Sequence, residues 1–194
     1  MRTAIQNNIQ RFDRQGSERV LTPAAVAIVL LQDEGSFCVP IFQRPSSMAK
    51  HASQMALPGG KVHPGETAED CAVRELSEEL GLRVDGADVL GRLDDFNTRS
   101  GFTITPVVIW SGEDFKALRP STAEVAWLLA VHLDELRAAA IASSAGNTPA
   151  FSLKLPAVEV FAPTAAILYQ FSEVALDGRT CRVADFYQPP FTHR

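Results

Sequence analysis

Residues 60–82 read GKVHPGETAEDCAVRELSEELGL, and from Thr67 to Leu80 this stretch has the marks of one amphipathic helix. Thr67 can cap the first free N–H groups, Glu69 and Asp70 suit the positive end of the helix dipole, and Gly81 provides a stop. At about 100° per residue, Glu75, Glu78 and Glu79 share an arc of about 100°, while Val73, Leu76 and Leu80 form a separate apolar stripe. Arg74 falls beside Glu78. Like charges one turn apart repel by a few tenths of a kcal/mol per pair, so the acidic arc costs stability unless a cation neutralises it. A solvated acidic face is the ordinary alternative for a glutamate-rich helix. Oxygen-only donors of high charge suit Mg²⁺ or Mn²⁺, ions that also contact substrate phosphates. Ahead of the helix, Leu57-Pro58-Gly59-Gly60 brings bare backbone close to its start, where carbonyls can ligate a metal and N–H groups can meet anions. Glu66 can tie that loop down.

Working outward, Pro23 opens an apolar run, Ala24 to Leu31, that ends at Asp33-Glu34-Gly35, and Phe37 to Phe42 follows. Two apolar runs around a glycine-containing turn predict a β-hairpin. Pro45 to Leu57 is irregular and polar, and Pro58-Gly59-Gly60 is expected to break any regular element. Val89 to Phe96, Phe102 to Trp110 and Val125 to Val131 are strand candidates, with Phe102-Thr103-Ile104-Thr105 alternating as a half-buried strand does. His132 to Ala142 and Thr164 to Leu176 read as helices. Gly178 and Arg179 are expected to turn the second of these into a final strand, and Ala138 to Ala150 reads as a small-residue loop. Trp110 and Trp127 lie in apolar runs and are expected in the core. Interleaved strands and helices favour a mixed α/β sandwich.

The chain has 194 residues, 46% hydrophobic and 21% charged, which excludes a disordered chain and suits one globular domain. Its longest apolar stretch, Ala24 to Leu31, falls far short of the roughly 18 residues that span a bilayer, so no membrane partner is expected. With 23 acidic against 18 basic residues the net charge is −5, and no basic run is present to collect phosphates. Nucleic acid is therefore not expected as a partner, whereas a small anionic substrate remains open if a cation bridges it to the chain. Arg2, Arg11 and Arg14 are followed by no apolar core of the secretory kind, and Cys38, Cys71 and Cys181 show no metal or disulfide spacing. Inert thiols in a reducing cytoplasm are the expectation.

Gly60, five residues, Glu66, seven residues, then Arg74-Glu75-Leu76-Ser77-Glu78-Glu79-Leu80-Gly81-Leu82 resembles the Nudix box at each defining position. From average composition such a match arises by chance on the order of once in a million, which favours the metal-binding reading of the acidic arc. The resemblance implies an α/β fold, a Nudix-type α/β/α sandwich around a mixed β-sheet, as one domain over 21–194 behind an N-terminal extension 1–20. It implies hydrolysis of a diphosphate bond linking a nucleoside to another group. Glu75 and Glu79 would be the main Mg²⁺ (or Mn²⁺) ligands with the Gly60 carbonyl, and Glu78 a further or water-mediated one. Arg74 and Glu66 would brace loop and helix. Glu124 is the candidate for an additional glutamate acting as ligand or general base, with a strand-edge surface role as its alternative. Family habit suggests a homodimer.

Arg44 to Gly60 is similar to the extension that marks the coenzyme A diphosphatase group of this superfamily, matching at Arg44, Ser46, His51, Gln54, Ala56 and Pro58-Gly59-Gly60. Leu93-Asp94-Asp95-Phe96 and Gly101-Phe102-Thr103-Ile104-Thr105-Pro106-Val107 resemble the same group. Arg44, Lys50 and His51 would then meet the 3′-phosphate or diphosphate of coenzyme A, although solubility for Lys50 and a loop-fixing hydrogen bond for His51 stay open. The chain departs from the pattern at Pro45, Ala49, Ser53 and Leu57, and Phe161-Ala162-Pro163-Thr164-Ala165-Ala166 lacks a preceding Trp-Gly. ADP-ribose, a dinucleotide or a nucleoside triphosphate is the alternative substrate, and a non-catalytic Nudix-fold binding module the alternative role.

Overall fold

A computed structural model describes residues 1–19, 21–46, 54–143, 151–184, 186 and 188. Helix α1 (Arg2–Arg11) comes first and buries Ile5 and Ile9. Strand β1 (Thr22–Asp33) is the axis of the molecule. A strand covered on both faces reads as continuously apolar, and β1 does. Ala25, Ala27, Val29 and Leu31 face one core, whereas Ile28 and Leu30 face the other. The hairpin to β2 (Ser36–Gln43) turns through Glu34 and Gly35, both at positive φ (47° and 84°), as a two-residue turn matched to strand twist requires.

β2 pairs with β1 only near that turn, from Leu31↔Cys38 to Asp33↔Ser36, and then splays away. The chain returns to fill the gap: β3 (Met55–Ala56) pairs with β2, and β4 (Gly59–Lys61) pairs with β1 at Ala25↔Gly60 and Val26↔Gly59. Ala27 N–H donates to Pro58 O at 2.8 Å, sealing the wedge. The expected break at Pro58-Gly59-Gly60 is therefore corrected to a short strand. The glycines serve close approach here, since a Cβ on Gly59 would lie 2.4 Å from Ala25 O.

Helix α2 (Ala68–Leu80) packs Cys71, Ala72, Leu76 and Leu80 onto one face of β1. Its ends follow the sequence signals: Thr67 and Asp70 form a reciprocal capping box, and Gly81 closes the helix at φ 67°. β5 (Val89–Arg92) and β6 (Phe96–Asn97) line the edge of β7 (Phe102–Asp114), which runs parallel to β1 from Thr22↔Phe102 onward. β8 (Trp127–His132) adds to β2, so eight strands of the described chain make one mixed sheet. On the opposite face lie α1, α3 (Leu133–Ala138), a second sheet of β9 (Ala140–Ser143), β10 (Phe151–Lys154) and β11 (Glu159–Phe161), and α4 (Thr164–Gln170), which widens into a π-type turn to Leu176. The result is an α/β/α sandwich around a mixed sheet. No helix among the described residues is long and apolar enough to cross a membrane.

Several expectations are corrected. The strand expected over 89–96 breaks at residues 93–95, because Asp94 and Asp95 anchor other segments. Asp94, 5% exposed, accepts from Gln15 N at 2.6 Å, Gln170 Nε2 at 2.8 Å and Arg182 Nη1 at 2.9 Å. Asp95 accepts from Ser17 N and Thr105 Oγ1 and pairs with Arg14. Buried carboxylates need such partners. The helix read over His132–Ala142 ends at Ala138, where pairing with β10 draws residues 140–143 into a strand. Among the described residues no strand follows Gly178. Trp127 is 39% exposed, with its indole N–H on Gln43 Oε1 at 2.8 Å, because β8 is an edge strand.

Candidate active site

The wedge and α2 together build the site. β4 holds Gly59 and Gly60 against the helix, and the acidic arc divides into side chains with different surroundings. Glu79 turns beneath the loop and is 2% exposed. Its Oε2 accepts from Gly59 N–H at 2.8 Å, while its Oε1 lies 3.6 Å from Arg44 Nη2, an ion pair longer than a hydrogen bond. Burial pushes the Glu79 carboxyl up to about 8; Arg44 and the Gly59 N–H pull it down, and Glu75 and Glu124 push it further up. Glu75 sits against Gly60 so closely that a Cβ there would lie 2.1 Å from Glu75 Oε1.

Arg74 organises the outer part. Nε and Nη2 donate to the two oxygens of Glu66 at 2.8 and 3.2 Å, and Nη1 donates to Glu75 Oε1 at 2.8 Å and Glu78 Oε2 at 3.0 Å. A further bond from Nη2 to Lys61 O at 3.2 Å ties helix to loop. The Arg74 guanidinium holds Glu66 down at about 2, helped by the His63 N–H. Glu78 keeps the most exposed of these carboxylates. Cys71 points at the same turn of backbone, with Sγ 3.6 Å from Gly60 O and 3.4 Å from Lys61 O, and burial raises its thiol to about 11, as an inert thiol requires.

Glu124 comes from a different element. Arg119 N–H caps Leu80 O at 2.8 Å and Ser121 N–H caps Glu79 O at 2.8 Å, so the segment before β8 is fastened to the end of α2. That brings Glu124 close enough for its charge to raise the Glu79 carboxyl. Arg44 lies where β2 runs out, its guanidinium 5.5 Å from the Phe42 ring centroid. Lys50 and His51 lie outside the described residues.

Behind the loop opens a cavity of about 560 Å³, bounded by Arg44, Gly59, Gly60 and Phe102 on the sheet side and by Phe161 and Ile167 opposite. Arg44, Gly59 and Gly60 border both the cavity and the carboxylates. Sequence reasoning set Phe161–Ala166 beside the coenzyme A diphosphatase pattern but did not place Val158, Ile167 or Gln188 on this cavity, because no local signal marks a wall that only tertiary packing assembles. The alternation of Phe102 and Ile104 was the one readable sign.

The donor set suits a hard divalent cation. Glu79 is a buried carboxylate with one oxygen short of a hydrogen-bond partner among the described residues, and Gly60 offers bare backbone against Glu75. Among the described residues no three acidic, histidine or cysteine side chains converge at ligand distance, because Arg74 holds Glu75 and Glu78 while Glu79 faces Gly59.

The NUDIX domain model matches residues 21–147. Nudix hydrolase 3 of Caenorhabditis elegans is 29% identical over 115 residues, covering 58% of this chain and 48% of that protein. A protein named uncharacterized Nudix hydrolase NudL, from Pectobacterium atrosepticum, is 31% identical over 143 residues, 68% of this chain and 71% of its own length. A Nudix hydrolase structure from M. smegmatis, RenU, superposes with a TM-score of 0.54 over 86% of this chain and 91% of that one at 20% identity, a likeness of fold. The chain thus spans about half the length of the worm relative and most of the bacterial one. On the domain match and the bacterial relative together, the chain belongs to the Nudix hydrolase family.

Proposed function

We propose that the chain hydrolyses the diphosphate bond of a nucleoside diphosphate derivative with Mg²⁺ or Mn²⁺, and that coenzyme A or an acyl-coenzyme A is the substrate. The observation that carries the reading is the buried Glu79 carboxylate under the Gly59–Gly60 backbone, next to a cavity of about 560 Å³. Glu75, Glu79 and the Gly60 carbonyl would hold the cation, with Glu78 reaching it directly or through water. When bound, the cation neutralises diphosphate charge and lowers the pKa of a bound water.

The protein's own residues do the rest. Arg74 anchors itself on Glu66 and Lys61 O and keeps the Glu75 and Glu78 charges paired beside the loop, from where both would turn toward the cation. Arg44 faces both Glu79 and the cavity, where its charge can meet a diphosphate oxygen. Glu124, whose segment is fastened to the end of α2 at Glu79, would take a proton from the attacking water. The apolar wall opposite limits water around the scissile bond. Water attacks one phosphorus, the P–O–P bond breaks, and each product leaves as a phosphomonoester.

The similarity of residues 44–60 to the coenzyme A diphosphatase extension supports the substrate assignment. Purified protein with Mg²⁺ is expected to release 3′,5′-ADP and 4′-phosphopantetheine from coenzyme A. If ADP-ribose, a dinucleotide or a nucleoside triphosphate is cleaved much faster in the same panel, that compound replaces coenzyme A. Tight binding of these compounds without turnover would make the chain a binding module.

A further inference from the structure

The cavity wall opposite the acidic helix includes residues beyond the stretch that matches the family model. Gln188 is one of them, 6% exposed and lining the cavity. Its side chain bonds at both ends to the backbone of one loop: Nε2 donates to Asn97 O at 2.8 Å, and Oε1 accepts from Arg99 N at 3.0 Å. That loop, residues 97–101, bears Thr98 and Ser100, which line the same cavity. It closes on itself through Thr98 N to Phe102 O at 2.7 Å and Phe102 N to Thr98 Oγ1 at 2.9 Å. Its two ends are tied to the chain leading into β1 by Ser17 Oγ to Asn97 Oδ1 at 2.9 Å and Thr22 N to Gly101 O at 3.0 Å, while Gln188 holds Arg99 at its middle.

Gln188 is held from upstream by contacts independent of the cavity. Arg182 bonds to buried Asp94 and to Asp13 O at 2.8 Å, Val183 is 1% exposed, and Phe186 stacks on Phe151 with ring centroids 4.1 Å apart. A buried amide with both ends satisfied by one loop adds a hold on that loop's middle, since leaving either end unmade costs the desolvation of a polar group.

We infer that Gln188 is a positioning residue that pins loop 97–101 against the cavity, so that substrate affinity depends on a residue outside 21–147. The consequence for affinity rests on reading the cavity as the substrate pocket; the pinning does not. Gln188→Ala removes both bonds, and Gln188→Glu keeps the acceptor for Arg99 N–H but loses the donor to Asn97 O. Two measurements on the full chain test this. Amide hydrogen exchange in residues 98–101 is expected to quicken roughly tenfold in Gln188→Ala and less in Gln188→Glu, with the cooperative melt retained. For the diphosphate that wild type cleaves best, KM is expected to rise roughly tenfold, with kcat within about twofold, and Gln188→Glu is expected to fall between.

Unchanged exchange in a folded Gln188→Ala would overturn the pinning whatever the turnover. Faster exchange with an unaltered KM would overturn the role in affinity, as would a drop in kcat alone. If wild type cleaves no diphosphate, the proposed function fails, and the exchange result by itself still upholds or overturns the pinning.

Discussion

Gly59 and Gly60 are adjacent, yet alanine at each should fail in a different way. Neither has a positive φ, so added backbone strain is not the cause. At Gly59 a Cβ meets Ala25 O at 2.4 Å, Val26 Cγ1 at 2.6 Å and Val26 Cα at 2.8 Å, mostly backbone of the central strand. An ordinary contact requires β4 to retreat by about 1 Å, which stretches the Ala27 N to Pro58 O bond of 2.8 Å beyond hydrogen-bond length and loosens the Glu79 bond to Gly59 N–H. Overpacking of ~1–3 kcal/mol plus about 1 kcal/mol for each of two weakened bonds gives about 3–5 kcal/mol. At about 2–4 °C per kcal/mol for a chain of this size, Gly59→Ala should melt roughly 6–20 °C below wild type. At Gly60 the collision is with Glu75 Oε1 at 2.1 Å and Cδ at 2.6 Å, the far end of a side chain that can rotate away. Gly60→Ala should therefore cost within about 1 kcal/mol, a shift of roughly 4 °C or less, and lose most hydrolysis because Glu75 is displaced. Thermal melts and turnover of both variants decide the matter. Equal destabilisation of the two, or a Gly59→Ala protein melting within about 2 °C of wild type, would refute the wedge described for β4.

Two further outcomes follow from the same geometry. Arg74→Lys gives up the paired grip on Glu66 and the reach to Lys61 O, so denaturant melts should show a loss of about 1–2 kcal/mol, and turnover should fall while the fold persists. Glu79 binds its proton more tightly folded than unfolded, so metal-free protein is stabilised by that group below about pH 4.5 and loses the contribution as pH rises to about 8. Denaturant melts in a chelator at pH 5 and pH 8.5 should show a steeper decline in wild type than in Glu79→Gln, and added Mg²⁺ should restore more stability at the higher pH. An identical decline in the two proteins would remove Glu79 as its source.

The helix bearing the carboxylates was legible because its signals are local. A capping box at Thr67 and Asp70, an apolar stripe at Leu76 and Leu80, and a left-handed Gly81 lie within one continuous segment. The hairpin turn at Glu34-Gly35 was legible for the same reason. What escaped the sequence depends on distant partners. Gly59–Lys61 is a strand because β1 and β2 splay and leave a gap, although its residues signal a break. Residues 140–143 leave the helical pattern of His132–Ala142 because β10 pairs with them. Ile5 and Ile9, in a segment read as an extension, pack into the core as part of α1. Within the site, helical periodicity placed Glu75, Glu78 and Glu79 on one arc. It could not show that Glu79 goes under the loop while Arg74 engages the other two, because that division is set by Gly59 N–H and by Glu66 across the loop.

In the proposed function, the buried Glu79 beneath Gly59–Gly60 serves cation-dependent diphosphate hydrolysis. The most direct test of that role is the Mg²⁺-dependent turnover of Glu79→Gln on the diphosphate that wild type cleaves fastest. The neutral amide preserves shape and can accept from Gly59 N–H, so the variant should fold as wild type does. Turnover is expected to fall on the order of a thousandfold, with the residual rate insensitive to Mg²⁺. A folded Glu79→Gln protein with wild-type turnover and an unchanged Mg²⁺ dependence would contradict the account.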